Sequence, residues 1–565
     1  SLSTFDFNND TFIKDVLKGA EHTTYQNLES ARFNPNTIPP TNFIHQVING
    51  MQGASREQID NVYQAYLALF PAESISKQFM HSKNVRGMER DITRAYADTM
   101  LKWSRKLGDS MFAPQIDRAV NGVKVEAENA KDDTLYAVAR NIESQSQFFH
   151  NPTFNSFVHG ATALSYFEYI SGNISSALIN FTSLPLLVLP MLGGRFGFGK
   201  TSSAMLAAHK VASQWVMKND NISPRYRALY QMLQDHAQLE HTMARELLEG
   251  RRKSTDDYLG LKAKILDGLS IPFSATEKYN RAVTAIAAYD LAKANGFTEE
   301  KALRLALDTV KDAHTSGMAE TAPKWMQNPI GRVFFTFKSF AWNSAFIVAR
   351  AFEQSFRGET KAIRDAARRQ LLGTFAMAGM FGGVKGLPFM GLAQTIGQML
   401  HALFGDDEPY DFNQDMRAFF GELMYKGPVN WATNLEISNR VGLAQDLIWR
   451  DDPRASSGFV LGTMQRAFGP AGSYLVNVEH AYDMFNQGHT ERAIEAVMPS
   501  FARNGMKGTR YLLEGATTLK GDPIEEDVGA YNSLMQVIGF SPASLSSKYE
   551  ITCAFGFIFK SWQSL

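Results

Sequence analysis

Apolar residues recur along most of this chain at intervals of three and four, the spacing that gathers side chains on one face of an α-helix. Tyr279, Ala282, Val283, Ile286 and Tyr289 form one such face. Ahead of them, Ser274-Ala-Thr-Glu277 has the spacing of a capping box, in which the Ser hydroxyl and the Glu carboxylate each satisfy a free amide. Gly296 predicts the stop, since glycine enters left-handed backbone without steric cost. Thr298, with Glu299 and Glu300 near the positive end of the helix dipole, predicts the next start. Ser202 or Ser203 is the predicted cap of a further helix carrying Met205, Ala208, Ala212, Trp215 and Val216. Sustained alternation of period two, the mark of strands, is missing. The expected fold is all-α: an elongated multi-helix array with buried apolar hairpins.

Breaks in the pattern predict seams. Asn34-Pro35-Asn36 through Pro39-Pro40 separates a polar leader from the first helix. His150-Asn151-Pro152 and the acidic run from Asp406 through Asp415 divide the remainder. Three helical regions result, 1–150, 151–405 and 406–565. Two stretches of the central region lack charge. Residues 169–194 are 26 uncharged residues, and between Arg369 and Asp406 only Lys385 is charged, amid eight glycines. Each is long enough to cross a bilayer core, which takes about 20 helical residues. Asn173, Asn180, Pro185 and Pro190 interrupt the first, and Lys385 with Pro388 splits the second. Two readings stay open, a tightly packed buried hairpin and segments that enter a membrane conditionally. Small-residue faces suit close helix contact in both.

Composition narrows the class. With 44% hydrophobic and 20% charged residues over 565 positions, the chain is globular rather than disordered. Basic and acidic residues balance at 57 each, so no overall positive field attracts nucleic acid. A single cysteine, Cys553, excludes intrachain disulfides and multi-cysteine metal sites. The chain opens at Ser1 without a basic-then-apolar leader and closes on the apolar run Phe555–Phe559. It reads as a fragment or processed piece of a longer polypeptide.

Gly194-Arg-Phe-Gly-Phe-Gly199-Lys200-Thr201 satisfies the phosphate-loop pattern, in which glycines let amides approach phosphates, Lys reaches the terminal phosphates and Thr holds magnesium. That chemistry needs a preceding strand, which Pro185 and Pro190 disfavour, so a glycine turn between two helices is the expectation. His236 and Glu240 stand one turn apart, with His241 beside them, but they miss the zinc-protease spacings. Glu525-Glu526-Asp527 reads as a solvated face. No nucleophile, cofactor or metal set emerges, and the chain is read as non-enzymatic. Arg251, Arg252 and Lys253, Arg368 and Arg369, and Lys507 with Arg510 are local basic patches able to touch DNA phosphates. The aromatic stripe from Phe334 to Trp342 is expected in core or at an oligomer contact.

Several stretches occur in an order that resembles a known family. They are Pro71-Ala-Glu-Ser74-Ile-Ser-Lys77 with Val85 to Ala95, Ser175 to Pro185 running on to Phe196-Gly197, and Glu277-Lys-Tyr-Asn280-Arg281. Phe337-Lys338-Ser-Phe340 with Asn343, Gly505 to Tyr511, Glu514-Gly515, Gly521-Asp522-Pro523 and Gly539-Phe540-Ser541-Pro542 continue the series. Together they resemble the helical module of the large internal virion proteins, or ejection proteins, of short-tailed bacteriophages. The resemblance spans residues 71–542 and does not extend into the tail. It implies a protein packaged in the capsid interior around the portal, beside other core proteins and phage DNA. After ejection it would lie in the host periplasm or inner membrane, helping DNA cross the envelope as one copy of a homo-oligomer. No peptidoglycan-cleaving motif accompanies it. The alternatives of other classes are a phosphate-loop protein using Gly194, Gly199, Lys200 and Thr201, and an integral membrane protein built on the two charge-free stretches.

Overall fold

A computed structural model gives the fold. It describes residues 55–68, 92–131, 133–150, 156–217, 222–236, 257–314, 338–390, 412–441, 459–518 and 521–549, with a few single positions between. The seams expected at 34–40, at 151–152 and from 406 to 411 lie outside these residues. The chain forms two compact units: one of residues 1–159, 251–259 and 319–329, the other of residues 160–250, 260–318 and 330–565.

In the first unit, α1 (Arg56–Ala68) starts at a true capping box: Gln58 N donates to Ser55 Oγ at 3.2 Å and Ser55 N to Gln58 Oε1 at 2.8 Å. Helices α2 (Ile92–Ala130) and α3 (Asp133–His150) form a hairpin turned at Lys131, with Lys124 paired to Glu143 and Val120, Ala127 and Ala139 buried.

The second unit begins within α4 (Ser156–Tyr169), at Gly160, and continues with α5 (Ile174–Asn180), a π-helical turn (Leu184–Val188), α6 (Leu189–Phe196) and α7 (Phe198–Met217). Then come α8 (Arg227–Asp235), α9 (Asp257–Ala294) and α10 (Glu299–Ala313). Helices α11 (Ser339–Arg357) and α12 (Lys361–Gly382) pair through a three-residue turn. The rest comprises α13 (Phe412–Lys426), α14 (Pro428–Thr433), α15 (Ser438–Val441), α16 (Phe459–Asn486), α17 (Thr490–Val497), α18 (Ser500–Leu513) and α19 (Ala530–Ile538). Among the described residues the single sheet is an antiparallel pair, β1 (Ala516–Thr517) with β2 (Pro523–Glu525). The protein is all-α, as expected.

Helix α9 is the hub. Every residue from Asn280 to Tyr289 is buried, not one face only, because five alanines between 282 and 292 let α7, α8 and α10 approach on several sides. Trp215, Tyr226 and Tyr289 interlock edge-to-face around it, with ring centroids 6.1 Å apart in successive pairs. Two sequence expectations fail here. Ser274 starts no helix, since α9 runs through Pro272. The proline removes the amide that would bond Gly268 O, and beside that gap Leu269 O accepts from Gly172 N at 2.8 Å. Glu277 turns to Arg281 instead, at 2.8 Å. Ser202 and Ser203 lie exposed inside α7, which starts four residues earlier at the Gly197 break, and Val216 is exposed. Gly296 does stop α9 at φ +80°, and Thr298 caps α10 by accepting from Lys301 N at 3.5 Å.

Candidate functional site

The two charge-free stretches meet. The first supplies α5, the π turn and α6, with Pro185 at the start of the π turn and Pro190 just past its end. The second supplies most of α12. Gly194 of α6 faces α12 so closely that a Cβ would stand 2.6 Å from Ala366 O. Gly373 of α12 takes the Phe198 ring against it, where a Cβ would meet the ring at 2.6 Å. Leu186, Leu187 and Ala378 then share one core with Ile347, Ile437 and Phe540. The run Ile174–Phe196 is long and apolar enough to cross a membrane by length and composition, yet over half of its most apolar window is buried by protein.

Polar groups from distant parts of the chain hold this run at intervals. Arg440 Nη1 donates to Ser175 Oγ at 2.7 Å and to Gly539 O at 2.9 Å. Asn280 Nδ2 donates to Asn180 O at 2.7 Å and to Ser183 Oγ at 3.2 Å. At the exit, Arg369 donates through Nε and Nη2 to Gly194 O at 3.0 and 2.8 Å. Just before the entry, buried Glu168 pairs with Arg503 of α18. Lys385, the one charge of the second stretch, lies 5.8 Å from the Tyr425 ring centroid, where a cation is attracted by the aromatic face. The outward faces stay apolar and uncovered: Ile174 and Leu178 on α5, and Leu372 (70% exposed), Phe375 and Met380 on α12.

Gly194 and Gly199 of the phosphate-loop pattern fall on different helices. Gly197, at φ +92°, turns the chain between them, and residues 184–196 before it are helical rather than a strand. Lys200 is exposed, and Thr201 is buried in the first turn of α7 with its amide bonded to Gly197 O at 3.1 Å. This arrangement cannot cradle a phosphate as a strand-loop-helix does.

The basic candidates scatter. Arg251, Arg252 and Lys253 lie outside the described residues. Arg368 is exposed and 3.7 Å from Asp365, while Arg369 is occupied by Gly194 O. Arg510 pairs with Glu495 of α17, and Lys507 sits beside it on α18. His236 ends α8, whereas Glu240 and His241 lie outside the described residues. Glu525 pairs with Lys548 at 3.0 Å, and Asp527 accepts from Gly529 N at 2.9 Å. Among the described residues no cluster of His, Cys, Asp or Glu could hold a metal. Of the aromatic stripe, Lys338 and Ala341 are buried, and the side chains of Phe334, Phe335, Phe337 and Phe340 lie outside the described residues.

Sequence reasoning missed the four fastenings at Glu168, Ser175, Asn180 and Gly194. Nothing in the local sequence signals them, since their partners are 100 to 335 residues away. Compared with protein-family models, curated proteins and solved structures, the chain has no match.

Proposed function

We propose that this chain is a non-enzymatic structural module of a phage internal core, ejected with the genome to help DNA cross the host envelope. The reading comes from the ordered landmarks that resemble ejection proteins, and one observation supports treating them as a set: they touch one another. Asn280 of one landmark bonds to Asn180 of another. Gly539 of a third lies so close to the Ser175 landmark that a Cβ on it would stand 2.6 Å from Ser175 Oγ. Residues chosen by sequence order alone would have no reason to meet at joints. A module that must stay folded among packaged DNA and later meet an envelope would need apolar segments that are packed yet near the surface. Buried α6 beside the uncovered Leu372, Phe375 and Met380 fits that requirement.

The test uses the phage that encodes the chain. Intact purified particles should contain it in a form protected from added protease, and particles emptied in vitro should lose it together with their DNA. Its absence from particles, or digestion while they are intact, refutes the proposal.

A further inference from the structure

At the corner of α17, α18 and β1, positive charge exceeds the carboxylates that balance it. Arg503, Lys507 and Arg510 stand at i, i+4 and i+7, on one face of α18. The outer two are matched: Arg503 pairs with Glu168, and Arg510 grips Glu495 through both terminal nitrogens. The middle one has only the charge of Glu495, which it shares with Arg510. Lys507 Nζ lies 5.7 Å from the ring centroid of buried Tyr511, the same ring that has the Arg510 guanidinium at 6.0 Å, and no carboxylate among the described residues reaches it. Arg492 of α17 is close enough for its charge to act on Lys507. Its Nη2 donates to Thr517 Oγ1 at 3.0 Å and Thr517 O at 3.4 Å, again without a carboxylate among the described residues. Arg510 Nε is buried and has no acceptor among the described residues.

Such an arrangement is unfavourable when empty. Burial holds the Lys507 ammonium below the ordinary lysine range, eased by Glu495 and aggravated by Arg510, Arg492 and Arg503. A cation that shares its counter-charge in a partly buried corner favours a further anion. Arg492, Lys507 and Arg510 face one carboxylate, Glu495, and a phosphate-class dianion carries two negative charges with oxygens suited to guanidinium donors.

We propose that this corner binds a phosphate-class oxyanion. Lys507 and Arg492 supply the charge, and the Thr517 hydroxyl supplies a further hydrogen bond. The site is independent of the role argued above and would stand if that role fell. The phosphate could be free in solution or belong to a nucleic-acid backbone.

The test is thermal unfolding and calorimetric titration of the full chain with inorganic phosphate, against chloride at matched ionic strength. Expected is saturable binding near one per chain and a rise in Tm with phosphate concentration. Lys507→Met should raise Tm in phosphate-free buffer, by removing a desolvated charge, and weaken phosphate binding roughly tenfold or more. Arg492→Gln should weaken it similarly and serves if the first variant does not fold. Lys200→Gln, a remote exposed change, should leave binding intact. Competition between a DNA duplex and inorganic phosphate assigns the site to backbone phosphate, and binding of inorganic phosphate without competition assigns it to the free ion. No saturable binding, or an equal Tm response in all variants, overturns the proposal.

Discussion

Burial pushes the Glu168 carboxyl up to about 7, against the charge and hydrogen bond of Arg503, which pull it down. Between the unfolded value near 4.5 and 7, the native chain holds a proton that the unfolded chain releases. This group therefore favours the native state below about 4.5 and loses that contribution as pH rises through 7, an effect of up to roughly 3 kcal/mol. His314 has the opposite sense. It is fully buried, and burial with the nearby Arg281 lowers it to about 3. Thr284 donates its hydroxyl proton to Asn280 O, so His314 Nε2 must donate to Thr284 at 2.8 Å as the neutral tautomer. Its contribution is present above 6.5 and lost as pH falls towards 3, and it amounts to several kcal/mol. Urea unfolding across pH 4 to 8 should therefore show Glu168→Gln steepening the loss of stability on acidification. His314→Gln should flatten it. Parallel curves for either variant and the parent would show that the group titrates alike in both states.

At the scale of elements, α6 against α12 is a contact between backbones, and glycine is what permits it. Gly194→Ala should cost about 1–3 kcal/mol, because Ala366 O cannot move without shifting α12. Gly199→Ala meets nothing within 4 Å and sits in the first turn of α7, so it should be neutral or stabilise by up to about 1 kcal/mol. A phosphate loop would respond the other way, with Gly199 the intolerant position. Chemical denaturation of both variants separates the two. These elements also show what a sequence can disclose. The buried face of α7, the stop at Gly296 and the cap at Thr298 were readable, since each is decided by residues within one or two turns. The false start at Ser274 goes with a distant partner: Leu269 O, three residues before Pro272, accepts from Gly172 N about 100 residues away, and no local rule sees that donor. The basic face of α18 was half visible. Lys507 and Arg510 stood out as a pair, but Arg503 completes the helical spacing, and only the fold reveals that Glu168 and Glu495 match the outer two.

For the whole molecule, the choice between packed core and lipid contact becomes a measurable difference between inward and outward apolar residues. Leu187 is 1% exposed, so Leu187→Glu should unfold the second unit and says nothing about lipid. Leu372→Glu, on the uncovered face of α12, should leave folding within about 0.5 kcal/mol of the parent while reducing flotation with lipid vesicles. Unchanged flotation in that variant would remove α12 as a lipid contact. The fastenings of the Ile174–Phe196 run carry a further consequence, for synthesis. Arg440 and Arg503 come 265 and 335 residues after Ser175 and Glu168. At roughly 5–20 residues per second, a ribosome delivers those partners tens of seconds after the apolar run has emerged. Throughout that interval the nascent chain presents a sticky segment with two of its four clasps still unmade. A chain ended experimentally after residue 430 would stay in that condition permanently, and should be recovered with holdase chaperones or in the pellet rather than as a soluble shorter protein.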